Sequence, residues 1–386
     1  MNDLFSPELL DLRDQASAVA ADVLLPTAEH TDATGEWPKA AMQALAKQRL
    51  TGLTVPKCLG GHGQGLVALA AVTEVLGQAC AATAMCYGMH CVATAVIAAK
   101  STAHHDARYL RPIAQGDHLT TLALSESGTG SNFFLPQTVL EREGNGYRLR
   151  GTKQFVTNGG AVDSYVVSTL ASDASENGEF SCIVLDHDTP AMHWGEQWRG
   201  LGMRGNSSRS LKLDGAVAPL GNLLGDEGDQ VWYVFEIVAP FFLTAMAATY
   251  LGVARAALDV TLAHLQARRH THSGQSLSEI ETVQHRVGQL WIGVERSRLL
   301  LLHAARAGDM GRDDAMTAIL ACKADAANTA VTTTNEAMTL CGGIAYRENS
   351  TLSRLLRDAR ASHVMSPTTD LLTIWTGRSA LGLSLL

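Results

Sequence analysis

No Gly-x-Gly-x-x-Gly run follows a predicted strand and opens a helix in this chain, so a nicotinamide site of the common dinucleotide-binding kind has no support. There is no Cys-x-x-Cys pair either. The seven cysteines, at 58, 80, 86, 91, 182, 322 and 341, leave one over, and they read as reduced, mostly buried thiols of a cytoplasmic protein. His272 and His363 have no neighbours at metal-ligand spacing, and no metal site is expected. No block of Lys or Arg offsets the net charge of −8, which argues against nucleic acid; an anionic substrate would need local basic residues. The first residues, MNDLFSPELLDLRDQ, lack a basic stretch ahead of an apolar one, so no signal or transit peptide is expected. Ala79 to Ala99 is uncharged and long enough to cross a bilayer, but it contains no Leu and carries Thr83, Tyr87, Gly88, His90 and Thr94. A buried bundle helix is expected there, not a membrane span.

What is present is globular: 46% hydrophobic and 18% charged residues over 386 positions, enough for two or three structural units. Residues 1–117 read as an all-helical domain. Leu9, Leu10, Leu12, Ala16, Val19 and Ala20 outline an amphipathic helix, and Pro38 is placed to start another through Leu45. Gly60, Gly61 and Gly63 punctuate a loop before two further helices, and His104 and His105 are expected at the surface of a helix. From 118 to 222 the texture changes to runs such as Tyr147–Leu149, Tyr165–Ser168, Ser181–Leu185 and Ser210–Leu213, which predict a small antiparallel β-domain. Long helical periods return in 223–386, with Ala-rich faces at Ala245–Ala257 and Ala315–Ala330 suited to close antiparallel packing in a bundle. Helix, sheet, helix is an α+β order.

Two segments of the middle region stand out. ALSESGTGSN, Ala123 to Asn132, leaves an apolar strand for a loop whose Gly128 and Gly130 permit positive φ and close backbone approach to an anionic or carbonyl group. GTKQFVTNGG, Gly151 to Gly160, sets Phe155 and Thr157 in alternation on a strand, an aromatic face beside a hydroxyl, as a flat heterocycle requires.

In this order and separation the two segments resemble the flavin-binding loops of the acyl-CoA dehydrogenase family, roughly TEPxxGSD followed by KxWITNG. GLGMRGNSS (Gly200 to Ser208), NLLGDEGD (Asn222 to Asp229), CGGIAY (Cys341 to Tyr346) and RLLRDAR (Arg354 to Arg360) extend the resemblance across nearly the whole chain. It implies an FAD enzyme that removes hydrogen from the α and β carbons of an acyl thioester. An electron-transfer flavoprotein or oxygen would take the electrons, in a homodimer or homotetramer. It implies flavin contacts at Leu124, Ser125, Gly130, Ser131, Phe155 (where the family commonly has Trp) and Thr157. It further implies a pyrophosphate contact at Arg268 or its neighbour Arg269, contacts from a partner subunit at Thr339 and Gly343, and adenosine contacts at Thr368 and Asp370.

The resemblance fails at one position. Where the family usually carries the Glu that removes the α-proton, this chain has Ser366, and the alternative carboxylate position on an earlier helix is Phe242. An unassisted serine is a poor base near neutral pH. Asp370, Glu236 and His363 are the remaining candidates for that role, and Glu126 belongs to the flavin loop itself. Dehydrogenation is therefore weighed against three alternatives on the same fold: a flavin monooxygenase, a desulfinase-like elimination that needs no α-proton base, and a catalytically silent flavin-binding subunit.

Overall fold

The computed structural model describes residues 5–130, 134–173, 180–228 and 232–385. Helix α1 (Pro7–Val19) starts where the Ser6 hydroxyl accepts from the Leu9 N–H at 3.2 Å, and it buries Leu9, Leu12, Ala16 and Val19. α2 (Leu25–Thr34) ends on Gly35 in the left-handed conformation, and α3 (Lys39–Lys47) follows Pro38 directly. α4 (Leu66–Ala79) has its first N–H groups, those of Leu66 and Val67, capped by the distant Asp309 carboxylate at 2.6 and 2.9 Å. α5 (Ala81–Ala99) is buried from Ala81 through Ile97, as its lack of charge predicted. Short helices α6 (Ala103–His105) and α7 (Arg111–Gln115) close this part.

The two adjacent histidines differ from expectation. His104 is exposed, but His105 is wholly buried, its Nδ1 accepting from the Thr102 N–H at 3.1 Å. Adjacent residues on a helix do face different sides; here one side is solvent and the other is core.

Among the described residues, eight strands form two sheets: β1 (Thr120–Ala123), β2 (Val139–Glu143), β3 (Gly146–Val156), β4 (Ser164–Leu170), β5 (Phe180–Asp186), β6 (Met192–Trp194), β7 (Arg209–Pro219) and β8 (Leu223–Leu224). The first sheet runs β1-β4-β5-β8 and the second β2-β3-β7-β6. All pairs are antiparallel save β1 with β4, which run parallel from Thr120 opposite Ser164 to Ala123 opposite Val167. The wholly antiparallel expectation is corrected at that pair. The chain leaves β1, builds β2 and β3 of the other sheet and only then returns as β4, a crossover long enough to restore direction.

Strict alternation places the first sheet between two cores. Leu122, Val166, Cys182 and Val184 pack with the helices, whereas Ala123, Val167, Ile183 and Leu185 pack against Leu149, Val156, Leu211 and Leu213 of the second sheet. Both faces are covered, so β4 and β5 are buried almost along their whole length.

After a π-helical turn, Tyr233–Val238, come α8 (Ala239–Ala267), α9 (Glu281–Asp309), α10 (Ala315–Cys341), α11 (Thr351–Val364) and α12 (Thr369–Ala380). α4 and α8 touch backbone to backbone. A Cβ on Gly252 would lie 2.4 Å from the Glu74 carbonyl, and one on Gly77 would lie 2.6 Å from that of Thr249. Ala81–Ala99 and Tyr233–Ala267 are both long and apolar enough to cross a membrane, but 94% and 78% of their most apolar windows are buried inside this fold.

Candidate active site

A cavity of about 530 Å³ lies where the loop after β1 and the end of β3 meet α5, the start of α8, and the junction of α11 with α12. Leu124, Ser125, Glu126 and Gly130 of the first loop border it. Gly130 has φ +53°, and a Cβ built on it would meet nothing within 4 Å, so its backbone faces open space. Ser131 and Asn132 lie outside the described residues.

The end of β3 is not the straight alternation that the sequence suggested. Pairing with β7 slips between Lys153 and Val156, Phe155 takes φ +53°, and the strand stops at Val156, one residue short of Thr157. The bulge turns the Phe155 ring out. It is 63% exposed at the cavity and meets Trp198 edge to face, centroids 6.0 Å apart. Thr157 is buried, its hydroxyl 3.3 Å from that of Ser208 and its carbonyl accepting from the Thr121 hydroxyl at 3.0 Å. Asn158, at φ +62°, accepts from the Trp37 indole N–H at 2.8 Å and donates to the Cys86 carbonyl at 2.9 Å, fixing this turn to α5.

A buried ion pair joins the two segments. Lys153 donates to Glu126 Oε1 at 2.5 Å and to the Ser168 hydroxyl at 3.0 Å, while Glu126 also accepts from the Gln137 N–H and from the N–H and hydroxyl of Thr138. The Gln154 N–H donates to the Ser125 carbonyl at 2.7 Å. Burial pushes the Lys153 pKa down to about 8. Burial pushes Glu126 up, but the Lys153 charge and the surrounding donors outweigh it and hold the carboxyl below its usual range. Glu126 is thereby committed to shaping the loop.

Met85 and Met89 from α5, Val238 and Phe242 at the start of α8, and Val364 to Pro367 form an apolar wall. Ser366 and Phe242 thus border the same cavity, and the buried Ser366 hydroxyl has no partner among the described residues. Met203 completes the wall at φ +53°, its N–H donating to Asp358 at 2.7 Å. Burial pushes that carboxyl up to about 6. Beside it Arg357 pairs with Asp32 of α2. The GLGMRGNSS and RLLRDAR segments therefore meet in space, a contact that neither segment's own pattern announces. Trp198 likewise carries no local mark of its place at the cavity, and the sequence alone did not single it out.

The other named residues stand apart from the cavity. Asp370 is exposed in the first turn of α12, Glu236 is exposed on the π turn, and His363 is half-buried in the last turn of α11, where burial lowers its pKa. None of the three borders it. Thr368 caps α12 by accepting from the Leu371 N–H at 3.4 Å. Arg268 and Arg269 are exposed just beyond α8, Arg269 donating to the Gly274 carbonyl at 3.2 Å. Thr339 and Gly343 are exposed at and just beyond the end of α10. These four surface residues do not reach the cavity of their own chain.

The residues present fit a flavin: an open aromatic face at Phe155, hydroxyls at Ser125 and Thr157, and uncovered backbone at Gly130, with apolar space beyond them. Among the described residues, no group of three or more His, Cys, Asp or Glu is placed to hold a metal ion.

Comparison with known proteins agrees with this geometry. Three family models match in succession: the acyl-CoA dehydrogenase N-terminal domain over residues 6–117, the middle domain over 121–216 and the C-terminal domain over 244–381. A cyclohex-1-ene-1-carbonyl-CoA dehydrogenase of Geobacter metallireducens is 29% identical, across 95% of this chain and 96% of its own. An acyl-CoA dehydrogenase of Bacillus subtilis is 28% identical across 97% and 98%. Among solved structures, the butyryl-CoA dehydrogenase of Megasphaera elsdenii superposes with a TM-score of 0.92 at 24% identity, covering 98% of this chain and 99% of that one. The chain belongs to the acyl-CoA dehydrogenase family.

Proposed function

We propose that this protein is an FAD-dependent oxidoreductase that forms a double bond between the α and β carbons of an acyl thioester such as an acyl-CoA. One observation carries the reading: the hydroxyls of Ser125 and Thr157 and the open ring of Phe155 share a cavity with the apolar wall of Met85, Met89, Val238, Phe242 and Val364. A flavin held by Ser125, Phe155 and Thr157 would supply the acceptor for the hydride of the β-carbon. Thr157 offers its hydroxyl to the ring from a buried position, and Phe155 gives the ring a flat face. The methionines and Phe242 keep water from the acyl chain, which strengthens each directed hydrogen bond in the cavity.

Ser366 stands at the family's base position and Phe242 at the alternative one, and Glu126 is held by Lys153. Among the described residues, no carboxylate borders the cavity other than Glu126, which is paired with Lys153. Such a wall favours thioesters whose α-hydrogen is already acidified. It is also the observation behind the second reading, a monooxygenase or an elimination in which no α-proton is removed.

We place Arg268, Arg269, Thr339 and Gly343 against the flavin of a neighbouring copy in a homodimer or homotetramer, because all four are exposed and remote from their own cavity. We take an electron-transfer flavoprotein or oxygen as the acceptor. The seven free thiols suit a cytoplasmic location.

The deciding experiment is the visible spectrum of the purified protein, repeated after anaerobic addition of saturated and unsaturated acyl-CoAs. Bleached flavin bands establish dehydrogenation. Bands that persist, with oxygen consumed when reduced flavin is supplied, or with sulfite released from a sulfinylated thioester, establish the second reading. Persistent flavin with no turnover in any assay marks a silent subunit, and a protein that takes up no FAD overturns every one of these readings.

A further inference from the structure

Lys323 of α10 is fully buried, and no carboxylate pairs with it among the described residues. Burying an ammonium without a counter-ion is unfavourable, so what it touches matters. It donates to the Ser362 carbonyl at 2.7 Å and to the Pro367 carbonyl at 3.2 Å. Burial draws its pKa down to about 8, which leaves the group mostly protonated at neutral pH.

The two carbonyls bracket the cavity wall. α11 ends at Val364, so the Ser362 carbonyl loses the partner that another helical turn would supply. The chain then passes through Met365, Ser366 and Pro367, all three bordering the cavity, before α12 begins at Thr369. Pro367 brings no N–H with which to close the junction internally.

We propose that Lys323 is the positioning residue of this wall: it caps α11, ties the far side of the junction to the same ammonium, and thereby fixes Met365 and Ser366 in the cavity. The inference goes beyond the dehydrogenase reading and holds for whatever substrate the cavity accepts. Lys323 borders no substrate space itself and acts only through the segment it holds.

The test uses the FAD-loaded protein and reads residue 366 directly. A Cys58→Ser change removes the one exposed thiol among the described residues, and Ser366→Cys places a reporter in the wall. The rate at which iodoacetamide alkylates that reporter is compared with and without Lys323→Met. Removing the donor is expected to raise the rate about tenfold or more, the scale of losing hydrogen bonds to a charged group. The buried Cys80, Cys86 and Cys91 should stay unreacted. An unchanged rate in folded, flavin-loaded protein overturns the proposal, as does a rise shared equally by those three thiols, which would signal general loosening. Should Lys323→Met fail to fold, Lys323→Gln takes its place, and the same two results would overturn the proposal. The readout needs no acyl thioester, so a failed substrate assignment leaves it intact.

Discussion

At the scale of single residues, the cavity sets hydroxyls and an aromatic ring on one side against an apolar wall on the other. Ser366 has a hydroxyl unpartnered among the described residues, its neighbours in the wall are apolar, and the proposed reading sets it at the base position. Ser366→Glu is therefore expected to accelerate bleaching of bound flavin by acyl-CoAs by about a hundredfold or more, the lower range for a positioned general base. Stopped-flow absorbance measures it. A rate no higher than the parent's would show that residue 366 does not face the α-carbon. The sequence displayed the substitution but not its setting. That Phe242 shares the cavity, that Glu126 is occupied by Lys153, and that Asp370, Glu236 and His363 stand apart all depend on long-range packing that no local pattern encodes.

At the scale of elements, the helices were legible because their apolar periods and caps are local. The apolar period from Leu9 to Ala20, and the uncharged run that became α5, announce themselves. The parallel β1–β4 pair was hidden, since strand direction depends on the crossover and not on the strand's own residues. The bulge at Phe155 was hidden for a related reason: it arises from how β3 fits β7. Gly252, unremarkable in sequence, sets the distance between α4 and α8. Gly252→Ala places a methyl group against the Glu74 carbonyl and the Gln78 amide, and the backbone on that side cannot swing away as a side chain would. A loss of about 3 kcal/mol is expected, the upper range for overpacking. Urea unfolding of parent and variant measures it; equal midpoints would mean that the two helices separate without penalty.

At the scale of the whole molecule, His90 joins three parts of the fold. It projects from α5, its Nε2 lies 2.9 Å from the Thr51 carbonyl, and its Nδ1 accepts from the Thr120 N–H at the start of β1. Burial pushes its pKa down from 6.5 to about 4. On acidification the unfolded chain takes the proton first, so stability falls as the pH drops from about 6.5 to about 4 and this loss levels off below that. The difference corresponds to roughly 3 kcal/mol at 1.36 kcal/mol per pH unit. Unfolding curves of the parent and of His90→Gln should converge or diverge with pH over that window, and a constant offset between them would refute the assignment.

The pairing of Arg357 with Asp32 joins residues 325 positions apart, and the Asp358–Met203 bond spans another 155. Neither can exist while the chain is still emerging from the ribosome, for its last helices are the last to be made. The helical N-terminal part and the β-sheets must therefore wait, with an unfinished and partly apolar cavity, until synthesis is nearly over. A nascent or truncated chain ending before α11 would expose that surface to chaperones and proteases, and flavin would find a completed pocket only after release.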